Sequence, residues 1–217
     1  LVLATPVRTI LAQLAQLSYS NSPLVLLDLG STKREICAAM DALPDSFDPL
    51  GGHPMCGKET AGIESAAANL FANAAFVLAP LARTSPKALA LAEELVAAVG
   101  ARPLLLDPAR HDNLVAVTSH LPYLLACSLM TAAATDAADD EQLWSVAASG
   151  FRDTTRLSAS DVRVMADIIA TNRDPILAAL SRQRAELERL QAILAAGDDS
   201  ILFEYLSHAR GARTAQQ

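Results

Sequence analysis

Short apolar runs alternate with longer stretches of helical spacing over the first half of the chain. Residues 1–4 read as a short buried strand, with Pro6 placed where a first helical turn tolerates it, and residues 7–17 read as a helix. A second apolar strand, 24–27, ends at Asp28, and a helix over 32–43 has Ser31 or Thr32 as its candidate N-cap. An apolar approach, 47–50, leads into a glycine-lined loop over 51–59. A helix over 64–72, a strand over 75–79 and a helix over 86–99 follow, with Gly100 placed for a left-handed C-cap. Residues 103–106 form the last strand. Strands alternating with helices in this way predict a largely parallel sheet, covered on both faces.

After Asp107 the pattern becomes helical throughout. Asp107-Pro108 is a helix start, a carboxylate cap followed by proline at the first helical position. Ile176, Leu180, Leu187, Leu190 and Leu194 keep helical spacing among arginines and glutamates, an amphipathic face in need of a partner surface. The acidic run 136–141 reads as a solvated loop, and 210–217 as a frayed end. The fold class expected is therefore α/β plus all-α, with a partial sheet domain over 1–106 and a helical domain over 107–217. An open nucleotide-binding sheet usually begins with a glycine-rich turn after its first strand. Gly30 stands without that pattern, and the chain begins at Leu1 without methionine, so a missing front portion is expected.

Composition narrows the function. The chain has 217 residues, 52% hydrophobic, with a net charge of -7, enough for a sizeable core. The acidic balance argues against a nucleic-acid partner, because no basic stripe is present to neutralise phosphates. The longest apolar stretch, 121–134, is interrupted by Pro122, Ser128 and Thr131 and falls short of a membrane span. Cys37, Cys56 and Cys127 lack metal-type spacing and read as reduced thiols of a cytoplasmic protein. No metal site is expected.

Four clusters carry candidate chemistry. In Gly51-Gly52-His53-Pro54-Met55-Cys56-Gly57-Lys58-Glu59, glycines let the backbone turn and a ligand approach, while Pro54 holds His53 extended. That makes His53 the first acid/base candidate, against the alternative of a structural histidine. Asp28-Leu29-Gly30-Ser31-Thr32-Lys33 sits where a strand passes into a helix, an anion site with a hydroxyl and a charge, or an ordinary N-cap beside a surface lysine. In the next helix Asp112, Ala116, Ser119 and Tyr123 share one stripe bordered by His120, and Pro122 either opens a pocket or is a tolerated bend. Gly150-Phe151-Arg152-Asp153-Thr154-Thr155-Arg156, followed by Ser158, Ser160 and Asp161, suits a carboxylate held by guanidinium, or else surface ion pairs.

In this order the clusters resemble the prephenate/arogenate dehydrogenase family of tyrosine biosynthesis. The resemblance runs from Leu-Ala-Thr-Pro at 3–6, through Asp-x-Gly-Ser-x-Lys, His-Pro-Met-x-Gly, Ser-His-Leu-Pro and Gly-Phe-Arg-Asp-x-Thr-Arg, to Asp167-Ile168 and Asn172. It implies a Rossmann-type sheet domain followed by a helical domain that forms a homodimer. It also implies NAD or NADP as cofactor and a small-molecule substrate, prephenate or arogenate. By the same resemblance His53 and Ser31 are the catalytic pair. Arg156, Ser119, His120, Tyr123, Glu59 and Gly150 lie on the substrate side, and Thr5, Pro6, Asp28, Ser31 and Lys33 on the cofactor side. Two departures stand out: Tyr123 where the family often has a second histidine, and Val164-Met165 where many members have Met-Trp. A β-hydroxyacid-type dehydrogenase is disfavoured because no lysine follows Lys87. A non-catalytic dimerisation or regulatory scaffold is the alternative of a different class.

Overall fold

A computed structural model describes residues 1–17, 23–57 and 66–215. Among the described residues five strands form one sheet in sequential order: β1 (Val2–Leu3), β2 (Leu24–Asp28), β3 (Phe47–Pro54), β4 (Ala75–Pro80) and β5 (Arg102–Leu105). Pairing is parallel except between β3 and β4, which run antiparallel with His53 opposite Val77. The sheet is therefore largely parallel as expected, but two local expectations fail. Residues 51–54 are strand rather than loop. The helix expected over 64–72 begins outside the described residues, and 66–72 are not helical, with turns over 68–73. An antiparallel return needs no crossover helix, whereas parallel neighbours do.

Side chains alternating along the strands feed two cores. Leu26, Phe47 and Ala79 join Ile10 and Leu14 of α1 (Val7–Leu14) and Ile36 and Met40 of α2 (Arg34–Asp41) on one face. On the other face, Leu27, Leu50 and Leu78 meet Ala92 and Val96 of α3 (Pro86–Ala98). Gly100 follows α3 at φ 74°, the left-handed conformation its position called for.

Gly51 and Gly52 serve the protein's own packing. A Cβ on Gly52 would meet the Asp28 carbonyl oxygen at 2.6 Å, and one on Gly51 the Cys37 sulfur at 2.8 Å. They let β3 close on β2 and α2 rather than make room for a ligand.

Beyond the sheet come α4 (Pro108–Val115), a π-helical turn over Ala116–His120, and α5 (Leu121–Asp136). The Asp107 carboxylate caps α4, accepting from the Ala109 and Arg110 amides. Short helices α6 (Leu143–Val146) and α7 (Ser149–Thr155), a 3-10 turn over Arg156–Ala159 and α8 (Val162–Thr171) follow. By length and composition the continuous run Pro108–Asp136, 29 residues, meets the requirement for crossing a bilayer, contrary to expectation. It carries His111, Asp112 and His120 buried inside the folded unit, while Leu114, Val117 and Leu129 are exposed.

The chain divides into two compact units, Leu1–Ile176 and Leu177–Gln217. The helix α9 (Arg173–Ala196) enters the second unit, where α10 (Asp199–Thr214) completes it. There the Arg189 guanidinium lies 5.6 Å from the centre of the Tyr205 ring. Residues 210–214, expected to fray, are helical.

Candidate functional site

The Asp28 carboxylate at the end of β2 is fully buried and accepts from the amides of Gly30 (2.8 Å) and Gly52 (3.2 Å). The Lys33 ammonium, also fully buried, donates to Asp28 and to the Gly52 carbonyl at 2.6 Å. A buried charge of each sign requires its partner. Expected to offer charge to a cofactor, Asp28 and Lys33 instead clasp β2, β3 and the start of α2 together. They set the turn that presents Ser31.

The start of α2 does bind an anion, but one supplied by the protein. Neither Ser31 nor Thr32 caps the helix; Lys33 holds the N-cap position without a side-chain bond. The Asp112 carboxylate arrives from α4 and accepts from the Lys33 amide at 2.7 Å and the Arg34 amide at 2.9 Å. Thr32 spends its hydroxyl on Thr171 of α8, 2.8 Å away. These bonds fasten the helices of the first unit to the carboxyl ends of the parallel strands, where α/β folds hold ligands.

On the anchored α4, His111 Nδ1 lies 2.8 Å from Asp112 Oδ1, and its Nε2 lies 2.8 Å from His53 Nδ1. The two imidazoles meet edge-on, with ring centres 5.1 Å apart. Burial, reinforced by Lys33, His111 and His120, holds the His53 pKa well below the usual histidine value. His53 is therefore neutral at physiological pH.

The π-helical turn decides what else reaches the site. Leu121 donates to the Ala116 carbonyl five residues back, and Pro122, which has no amide hydrogen, follows at once. The extra residue rotates the next turn, so that His120 rather than Ser119 continues the buried stripe of Asp112 and Ala116. Asn172, at the end of α8, reaches across to it: its amide nitrogen lies 2.7 Å from the Asp112 carbonyl and 3.1 Å from His120 Nδ1. Burial lowers the His120 pKa to about 4.

His53 and His120 open onto one cavity of about 590 Å³, lined also by Ser31, Cys56, Ser119, Tyr123 and Ser160. Burial and the Cys127 thiol raise the Tyr123 pKa, so its phenol remains a neutral donor.

Five expected residues thus converge: Ser31, His53, Ser119, His120 and Tyr123. Arg156 is exposed at the start of the 3-10 turn and is not among the lining side chains, although Leu157 and Ser160 of the same segment are. Gly150 lies within exposed helix α7 rather than opening a turn, and the Thr154 and Thr155 hydroxyls bond carbonyls of their own helix. Thr5 is half-buried against Gln13, and Pro6 is exposed as the N-cap of α1. Glu59 lies outside the described residues. His111 was not anticipated, nor were the roles of Asp112 and Asn172. The adjacent pair His111-Asp112, two turns upstream of His120, was the available signal.

Two family profiles cover nearly the whole chain: the prephenate dehydrogenase nucleotide-binding domain matches residues 1–105, and the prephenate dehydrogenase dimerization domain matches 107–208. This chain belongs to the prephenate dehydrogenase family. Among its relatives is the prephenate dehydrogenase of Bacillus subtilis strain 168, 32% identical over 98% of this chain; the chain spans 58% of that relative's length. A cyclohexadienyl dehydrogenase of Zymomonas mobilis is 29% identical over 99% of the chain and 74% of the relative. Among solved structures, prephenate dehydrogenase from Aquifex aeolicus in complex with hydroxyphenyl propionate and NAD+ superposes with a TM-score of 0.91. It is 28% identical, over 100% of this chain and 76% of that one. Synechocystis arogenate dehydrogenase superposes with a TM-score of 0.81 and 29% identity, over 100% of this chain and 78% of that one. The family's nucleotide-binding domain thus corresponds to the sheet region, and its dimerization domain to the helices that follow.

Proposed function

We propose that the protein oxidatively decarboxylates prephenate or arogenate, to 4-hydroxyphenylpyruvate or tyrosine, with NAD or NADP as hydride acceptor. One observation carries this reading: a neutral imidazole, His53, faces a cavity that it shares with Ser31, Ser119, His120 and Tyr123. Such a cavity accommodates a small ring and supplies a proton acceptor beside several hydrogen-bond donors.

The residues present fit the nicotinamide end of a dinucleotide, while the glycine-rich turn that would cradle its phosphates is not in this sequence. β1, β2 and β3 run parallel, and Thr5, Ser31 and His53 lie at or just beyond their carboxyl ends. When bound, the nicotinamide accepts the hydride. His53 takes the hydroxyl proton of the ring carbon that loses hydride, and a carbonyl forms there. The ring carboxylate then leaves as carbon dioxide, its electron pair enters the ring, and the proton returns to the oxygen to give the phenol. Ser31 positions His53 against the cofactor, and Arg156, beside the cavity-lining Leu157, binds a substrate carboxylate at the mouth.

The macromolecular partner is a second copy of the chain. The second unit exposes Leu187, Leu194, Ile201, Leu206 and, at 72% exposure, Phe203, an apolar surface suited to another such unit. The three free thiols fit a reducing cytoplasm.

The test uses the protein at its full natural length, with prephenate or arogenate and NAD+ or NADP+, following cofactor reduction. His53→Asn is expected to lower kcat by about a hundredfold or more, with the thermal transition unchanged. Retained turnover would remove His53 from the mechanism. A dimeric wild-type protein that turns over neither substrate would favour the non-catalytic scaffold.

A further inference from the structure

We infer that buried contacts set opposite proton tautomers on the two cavity imidazoles, so that His53 turns an unprotonated Nε2 toward the ligand and His120 a protonated one. The assignment concerns the protein alone; its use in catalysis rests on the dehydrogenase reading above.

Backbone amides only donate and an ionised carboxylate only accepts, which gives the chain of bonds a direction. Asp112 is held as acceptor by the Lys33 and Arg34 amides at the positive end of α2, with the Arg34 guanidinium 3.7 Å away. His111 Nδ1, 2.8 Å from Asp112 Oδ1, must then carry hydrogen, leaving His111 Nε2 as a lone pair. That lone pair lies 2.8 Å from His53 Nδ1, so His53 carries its hydrogen there and its Nε2 is free.

The second imidazole is set from the other side. The Asp112 backbone carbonyl can only accept, so the side-chain atom 2.7 Å from it on Asn172 is the amide nitrogen. The second hydrogen of that nitrogen points to His120 Nδ1 at 3.1 Å, which is therefore the acceptor, and Nε2 carries the hydrogen. Rotating the Asn172 amide by half a turn would let its buried, unpartnered Oδ1 accept from a protonated His120 Nδ1, but it would set oxygen against the Asp112 carbonyl oxygen and lose that bond, so the carbonyl fixes the amide and with it the His120 tautomer.

A proton acceptor and a hydrogen-bond donor thus face one ring from two neutral imidazoles. His111, Asp112 and Asn172 act through them as positioning residues. The charged and titratable groups around His53 are Lys33 from the start of α2, His111 and Asp112 from α4, and His120 from the π-helical turn. Lys33 is tied to Asp28, so Asp112 is the negative charge left to stabilise an imidazolium at His53, acting through His111. Because the substrate proton returns to the product oxygen, His111 need not carry a proton away. Its work is orientation and charge.

Nitrogen-15 spectra of the histidine rings read this directly in the unliganded protein near neutral pH. The chain has four histidines, so single substitutions complete the assignment. His53 is expected as the Nδ1–H tautomer and His120 as the Nε2–H tautomer. His111→Phe should shift His53 toward Nε2–H or a mixture, and lower kcat by about ten- to a hundredfold with KM nearly unchanged. His111→Gln, which keeps an acceptor, should restore part of both. Asn172→Leu should unset His120 without moving the His53 signal. An Nε2–H signal for His53 in the parent protein, or His111→Phe with unaltered His53 spectrum and kcat, overturns the inference. The ring spectra stand whether or not the protein turns over either substrate, so failure of the functional reading is seen separately.

Discussion

Among individual residues, His53 and Lys33 show opposite uses of burial. His53 is held neutral, so the competent form is the one present above its lowered pKa. As pH falls, kcat/KM is expected to stay level through the ordinary histidine range and to drop only at more acidic values. A break near the ordinary value would show that the ring is solvated under the conditions of the assay. His120 adds a stability effect of the same sign. Its pKa falls from 6.5 to about 4, so the unfolded chain binds a proton that the folded chain refuses. Stability is full above 6.5 and declines as pH falls toward about 4, to be checked by denaturation across that window. Lys33, in contrast, is buried against partners of its own, Asp28 and the Gly52 carbonyl. Lys33→Met leaves a buried carboxylate without its cation and should cost about 3–5 kcal/mol of unfolding free energy, with a smaller loss when Asp28→Asn accompanies it. Equal losses in the single and double variants would mean that the pair is not the source of the cost.

Among elements, the boundaries follow local chemistry wherever caps decide them. Asp107 and Gly100 end or begin their helices as their types require, and both were readable in advance. The local pattern misleads where an element depends on a distant one. Glycine and proline in 51–54 looked like loop, yet the segment is strand because β4 comes back antiparallel to pair with it. The glycines there answer to crowding by β2 and α2. Gly52→Ala is expected to lower stability by about 1–3 kcal/mol and to displace His53, whereas Gly57→Ala, with open space around it, should be nearly neutral. Similar melting temperatures for the two variants would refute the close-approach explanation. The π-helical turn is a further case: Pro122 marked a disturbance, but a uniform helical stripe put Ser119 in the place that His120 occupies.

At the scale of the whole molecule, the first unit gathers the chemistry and the second exposes the apolar surface. Phe203→Glu, far in sequence from the cavity residues, is expected to convert a dimer into a monomer, read by light scattering during size-exclusion chromatography. A dimer that persists would place the interface elsewhere. Bringing β2, β3, α4 and α8 together also turns residues from scattered segments into one network. Asp28, Gly52, Asp112 and Asn172 do not line the cavity, yet their bonds hold the segments that carry Ser31, His53 and His120.

The alternation of strands and helices was legible in the sequence, because local periodicity and capping carry that information along the chain, and the grouping of His53, Ser31 and His120 was implied by the family resemblance of their short motifs. Contacts across 58 residues, such as His53 with His111, leave no local trace. An imidazole beside an aspartate looks the same whether it faces water or another imidazole. Whether Lys33 meets a ligand or Asp28, and which nitrogen of each histidine holds its proton, depends on burial and on which donors and acceptors remain unpaired. Those are settled only when the whole chain is packed.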